Sequence, residues 1–165
     1  MKILISYYTR TGNNRKVALL LKDAFAESKD VETVDVEEVV DLKNRKGIAA
    51  YALGGRDAAF GKPATIKDPL YQVAEYDLVI VGGPVWAWTI CPAVRTYCTD
   101  HASRSPRVAF FCTMGGSGNK RAFSEMQKLC GQDPAAVLPL TDGVIHKDEV
   151  LLKSKIAEFC RKCLE

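Results

Sequence analysis

Lys2-Ile3-Leu4-Ile5-Ser6-Tyr7-Tyr8-Thr9-Arg10-Thr11-Gly12-Asn13-Asn14 opens the chain and decides how the rest is read. Its first seven residues are an apolar run suited to a buried strand. Its last six form a polar turn around one glycine. Val17, Leu20, Leu21, Ala24 and Phe25 follow at the spacing of one helical face. Strand, polar turn, helix is the unit from which parallel sheets are built.

The same alternation continues outward. Val31 to Val36 is a second strand candidate. Leu78-Val79-Ile80-Val81, within Tyr76 to Gly83, is a continuous apolar run fit for a central strand. Val94, Tyr97, Cys98 and His101 share a helical stripe. Val108 to Thr113 is a fourth strand, and Ala122, Met126, Leu129 and Cys130 mark another helix. Ala135 to Leu140 is a fifth strand, and Pro139 within it fits an edge, because proline cannot donate to a ladder. Asp148 to Leu164 closes the chain as a helix. The expected architecture is α/β, a five-stranded parallel sheet with helices on both faces. Residues 41–68 are irregular, with Gly47, Gly54, Gly55, Gly61 and Pro63, and Ile48 to Phe60 has room for a helical turn or two. No repeat or linker divides the chain, so residues 1–165 are expected to form a single domain.

Composition narrows the function. The 165 residues are 47% hydrophobic and 26% charged, with a formal net charge of +3. No long basic stripe is present, so nucleic acid is not an expected partner; Lys43-Asn44-Arg45-Lys46 reads as a solvated loop. No apolar run approaches a membrane span of about 20 residues, and no signal-peptide pattern is visible, so no membrane association and a cytoplasmic location are expected. The six cysteines are expected to be thiols. Cys160 and Cys163 share a helical face with Leu152, Ile156 and Phe159, so this C-x-x-C is expected to be core rather than redox or metal site. Cys98 and Arg104 match C-x5-R by count, but no glycine lies between them and they fall at a helix end, where a phosphatase loop would not form. His101 and His146 stand apart from other ligand types, and no metal site or protein catalytic residue is expected.

In an open parallel sheet, ligands lie beyond the carboxyl ends of the strands. Three loops stand there. Thr9 to Asn14 offers hydroxyls, amides and a helix start whose N–H groups can cradle a phosphate. Gly82-Gly83-Pro84-Val85-Trp86-Ala87-Trp88-Thr89 holds both tryptophans of the chain, and two indoles in one loop fit a flat aromatic ligand. Thr113-Met114-Gly115-Gly116-Ser117-Gly118-Asn119 offers bare backbone; it is neither a Walker loop nor G-x-G-x-x-G. One loop for phosphate, one for an aromatic ring and one for close approach suit a phosphorylated planar cofactor.

On these residues the chain resembles the flavodoxin family. Ile5 to Asn14, with Ala18 behind it, nearly matches that family's FMN-phosphate signature. Ser6 departs from it where an apolar residue is usual, and Asn14 where threonine is usual. The resemblance runs over essentially the whole chain in element order. It implies a flavodoxin-like three-layer sandwich and FMN as cofactor. Carried over by position, it implies Thr9, Arg10, Thr11, Gly12, Asn13 and Asn14 around the phosphate. Pro84, Val85, Trp86, Ala87 and Trp88 would lie beside the flavin ring, and Thr113, Met114, Gly115, Gly116 and Gly118 at its other edge. Which tryptophan stacks stays open. The implied function is electron transport with redox partner proteins. An NAD(P)H-dependent FMN or quinone oxidoreductase, with Tyr51 and Arg56 shaping a pocket, and a flavin-free interaction module are the alternatives. Familiar flavodoxins are strongly acidic, whereas here the second and third loops carry no carboxylate and Lys120 and Arg121 follow closely. A less negative potential for the fully reduced couple is therefore expected.

Overall fold

A computed structural model of the protein describes residues 1–43 and 48–165, the side chains of 48–52 excepted. Its elements are β1 (Lys2–Tyr7), α1 (Asn13–Ala26), β2 (Thr33–Glu38), α2 (Ile48–Ala59), β3 (Leu78–Trp86), β4 (Thr89–Ile90), α3 (Pro92–Asp100), β5 (Val108–Met114), α4 (Asn119–Cys130), β6 (Val137–Thr141), α5 (Asp142–Lys147) and α6 (Glu149–Leu164). The main sheet runs β2-β1-β3-β5-β6, all parallel. β4 is a two-residue strand folded back antiparallel on the end of β3.

Alternation along the strands divides the core into two layers, because successive side chains leave opposite faces. Leu4, Val79, Val81 and Phe110 pack with α3 and α4 on one face. Ile3, Ile5, Ile80 and Phe111 pack with α1 and α6 on the other. In α1 the buried stripe is Val17, Ala18, Leu21 and Phe25. Fully burying Val17, Leu21 or Phe25 contributes about 1.5–3 kcal/mol each. The expected three-layer α/β sandwich with five parallel strands is the observed one, and Pro139 stands in β6, at an edge.

Two expectations need correction. Residues 48–59 form a helix of 12 residues rather than a turn or two; Lys43 is the last described residue before Ile48, and Asn44, Arg45, Lys46 and Gly47 lie outside the described residues. Pro84, Val85 and Trp86 belong to β3 rather than to a loop, and so do Gly82 and Gly83, expected where strand meets loop. Packing requires them: a Cβ on Gly82 would lie 1.9 Å from the Phe111 ring, and one on Gly83 2.4 Å from Val94 Cγ2.

Ser6, the departure from the family's apolar residue, is buried in a polar network. Its hydroxyl donates to Glu37 Oε1 at 2.8 Å and lies 2.6 Å from the Tyr97 hydroxyl, which donates to the same oxygen at 2.8 Å. The Leu70 N–H donates to Glu37 Oε2 at 2.9 Å. A buried carboxylate is tolerated when its lone pairs are filled in this way. Burial, and then the charge of Glu37, push the Tyr97 phenol well above its usual range.

The cysteines of the C-x-x-C and C-x5-R motifs lie in helices. Cys160 and Cys163 are buried in α6, and burial pushes both thiols up to about 12, so neither is a reactive thiolate. Cys98 is wholly buried in α3; its hydrogen bond with Cys130, and then burial, hold its pKa well above the usual thiol value. Among the described residues, no His, Cys, Asp and Glu cluster could hold a metal ion. None of the helices among them is long and apolar enough to cross a membrane.

Candidate functional site

The order of the main sheet reverses direction between β1 and β3, which is where doubly wound sheets open a crevice. A cavity of about 210 Å³ lies there. It is lined by Arg10, Thr11, Asn13 and Asn14 from the β1–α1 loop. Pro84, Val85 and Trp86 come from the end of β3, and Thr113, Met114 and Gly115 from the end of β5. Asp142, at the start of α5, completes the wall. The three predicted loops thus converge on one cleft.

The α1 start is built to leave N–H groups available. Its N-cap is Gly12, at φ +93°, and no side chain caps the helix. The first-turn N–H groups therefore meet no protein acceptor of the usual capping kind. Thr9 does not line the cavity; its hydroxyl accepts from the Gly12 N–H at 3.0 Å and fixes the turn. Asn14 is only 2% exposed, and its Oδ1 is buried without a hydrogen-bond partner. A buried orphan acceptor is costly, about 1–3 kcal/mol, and asks for a ligand hydroxyl; with the amide turned over, its NH2 would meet a phosphate oxygen.

The second wall is a hairpin. Ala87 and Trp88 turn the chain with φ of +49° and +62°, unusual for residues other than glycine. This turn separates the two tryptophans. Trp86 is buried, faces the cavity and meets Tyr8 edge-on, with ring centroids 5.7 Å apart at 88°. Trp88 is 67% exposed and does not line the cavity. Of the two indoles, the cleft offers Trp86 to a planar ligand.

The third wall combines Thr113 and Met114 with the bare backbone of Gly115. A Cβ on Gly115 or Gly116 would meet nothing within 4 Å, and Gly116 stands outside the cavity lining. Gly118 has a different task. It caps α4 at φ +108°, and a Cβ there would fall 2.7 Å from Val85 Cγ1 and 2.9 Å from Trp88 Cα. It lets the third loop close against the hairpin. A second tie lies deeper: Glu125 of α4 accepts from Arg95 Nη1 at 2.6 Å and from the Thr89 hydroxyl. Burial raises the Glu125 pKa, but the bonds and charges of Arg95 and Thr89, with Arg121 beyond, outweigh it and leave the carboxyl below its ordinary value.

Of the sequence-predicted residues, Gly12, Ala87, Trp88, Gly116, Gly118 and Thr9 shape or flank the cleft without lining it. Arg56 is exposed and outside the lining, and the Tyr51 side chain lies outside the described residues. Asp142 was missed. Its Oδ1 accepts from Asn13 Nδ2 at 2.9 Å, joining the phosphate-type loop to the fifth parallel strand. The signal was available: Asp142 follows that strand at the same sheet edge as the other three loops.

A doubly wound parallel sheet with a three-loop cleft at its switch point defines a cofactor-binding α/β protein of the flavodoxin topology. The family model described as Flavodoxin matches residues 2–157, and the chain belongs to that family. Solved structures agree at the level of fold. A flavoprotein from Lactobacillus acidophilus, crystallised in complex with FMN, is 23% identical, with 86% of this chain and 93% of that one covered and a TM-score of 0.64. An archaeal flavodoxin is 18% identical over 100% of both chains, with a TM-score of 0.62. The two-electron reduced flavodoxin of Megasphaera elsdenii is 16% identical over 97% of this chain and 98% of that one, with a TM-score of 0.60. No curated protein matches the sequence.

Proposed function

We propose that this protein binds FMN in the three-loop cleft and serves as an electron-transfer flavoprotein. The observation that carries the reading is the buried, unpartnered Oδ1 of Asn14, a residue at the glycine-capped start of α1 that lines the cavity shared by all three loops. Flavodoxins are themselves the general example of FMN at the switch point of this strand order. The location is therefore the family's rule; what this chain adds is a donor and acceptor set that fits.

FMN supplies reversible electron storage when bound. The chain's residues supply placement. The N–H groups of Thr11, Asn13 and Asn14 and the hydroxyl of Thr11 would hold the phosphate, and Asn14 would meet the phosphate or the adjoining hydroxyls, while the Gly12 N–H stays with Thr9. Trp86, braced by Tyr8, offers a rigid apolar face for the ring and keeps water from it. Gly115 and its neighbours admit the ring edge to the backbone. With no carboxylate in the second and third loops and two cations following, the chain opposes negative charge on the reduced ring less than an acidic flavodoxin does.

Titration of flavin-free protein with FMN, followed by flavin fluorescence, tests the reading. Tight quenching at one FMN per chain is the expected result. No binding at micromolar FMN would overturn it. Potentiometry of the loaded protein is expected to place the fully reduced couple less negative than in acidic flavodoxins, and a strongly negative value would remove the charge argument.

A further inference from the structure

The start of α4 runs against the helix dipole, as the start of α1 does with Arg15 and Lys16. Positive charge is disfavoured at a helix N-terminus, where the dipole is itself positive. Yet Lys120 and Arg121 occupy the first turn of α4, no acidic residue accompanies them, and Gly118 supplies no side-chain cap. Both cations are exposed, and Lys128 adds a third exposed cation on the same helix. The only carboxylate of α4 is Glu125, and it is already engaged by Arg95 and Thr89. Beside this turn stands Trp88, 67% exposed, its backbone in close approach to Gly118. An exposed indole whose hairpin packs against the start of the helix that carries these cations has the composition of a contact surface, where Trp and Arg are enriched. Apart from Asp142 in the cleft wall, whose Oδ1 is held by Asn13, acidic residues that reach the surface on the opposite flank are Glu38 of β2 and the half-buried Asp41.

We propose that the α4 start and the hairpin tip form the docking face for a redox partner protein whose own contact surface is acidic. The proposal rests on the FMN reading for its purpose, since the face borders the cleft where electrons would leave. Carboxylates on the partner would meet Lys120 and Arg121 while an apolar patch covers Trp88. The acidic β2 flank would turn away a partner docked in the reverse sense. The patch is short and has no stripe of cations leading away from it, which fits an acidic protein better than a nucleic acid.

The test compares two double variants that change net charge equally. K120E/R121E alters the proposed face; K22E/K29E alters exposed lysines on and just beyond α1, across the sheet. Acidic residues in the first turn suit a helix start, so K120E/R121E is expected to fold. With flavin-free protein at low salt, poly-L-glutamate is added and tryptophan emission is followed, Trp88 being the exposed indole. K120E/R121E is expected to weaken binding by about fivefold or more and K22E/K29E by less than about twofold, as local rather than net charge steers contact. Equal weakening in both variants would overturn the proposal, as would tighter binding of poly-U RNA through the same residues. In FMN-loaded protein, oxidation by hexacyanoferrate(III) moves one electron from reduced flavin to iron(III), giving iron(II), with no bond made or broken. K120E/R121E is expected to slow it about fivefold at low salt, the difference vanishing at high salt; an unchanged rate would overturn the proposal. Failure to load FMN would instead remove the electron-transfer reading, and the poly-L-glutamate comparison would still decide the face.

Discussion

Helices α1 and α4 begin at the cleft, and α6 begins away from its lining; the two kinds of start are built differently. α6 has Asp148 accepting from the Leu151 N–H at 2.9 Å and Glu149 in its first turn. α1 and α4 have glycine N-caps at φ +93° and +108°, no side-chain cap and no acidic first turn. The capped helix satisfies its own N–H groups and dipole, whereas the other two leave both for something else. α5 lies between these cases: it borders the cleft through Asp142, yet Thr141 caps it by accepting from the Val144 N–H. Departures from local preference in an otherwise regular fold concentrate where function is placed; α3 is uncapped too but starts on Pro92, which has no N–H to satisfy, whereas the two glycine N-caps lie in two loops beside one cavity.

Removing Glu125 would break what holds α4 to the hairpin in place of a cap. Glu125→Ala leaves Arg95, 9% exposed, with a buried charge whose Nε and Nη2 already lack partners. Stranding a buried charge costs about 3–5 kcal/mol, measurable by urea unfolding, and a loss under about 1 kcal/mol would mean Thr89 and packing hold the hairpin. The pH dependence has a definite sign. The Glu125 pKa is depressed on folding, so its contribution is present above the unfolded carboxylate value of about 4.3 and is lost as pH falls through the lower folded value. Gly118→Ala comes next. Positive φ and a Cβ 2.9 Å from the Trp88 backbone combine strain with overpacking, about 3 kcal/mol together. Gly12→Ala separates the two causes, since its Cβ meets nothing within 4 Å. A cost of about 1–2 kcal/mol from the left-handed backbone alone is expected there. Equal losses at Gly12 and Gly118 in thermal unfolding would erase the distinction between a turn glycine and a packing glycine.

Much of this arrangement was legible in the residues. Continuous apolar runs such as Ile3-Leu4-Ile5, buried on both faces, and the one-sided helical stripe of Val17, Leu21 and Phe25 determine the layers, because burial is a local property of spacing. The three loops followed from a rule about sheet edges. What was not legible depends on contacts distant along the chain. Gly82 looked like loop because its need for a bare Cα is set by Phe111. Ser6 looked like a weakened signature because its partners, Glu37 and Tyr97, lie 31 and 91 positions away. Trp86 and Trp88 are two residues apart, and two unusual φ values at the turn, rather than composition, send one inward and the other out.

The smaller effects test the comparison from its ordinary side. Asp148→Ala removes a conventional cap from α6 and is expected to cost about 1 kcal/mol while leaving FMN affinity unchanged. Lys120→Glu runs the other way. It replaces a disfavoured charge in the first turn of α4 by a favoured one, so it should stabilise the protein by about 0.3–1 kcal/mol at low salt. A natural sequence that forgoes so accessible a gain has a use for the cation or no need of the stability. Measuring the stability of K120E beside its affinity for poly-L-glutamate separates these. A variant more stable but weaker in binding assigns the lysine to a contact, whereas one more stable with binding intact leaves the α4 start with no task beyond the cleft.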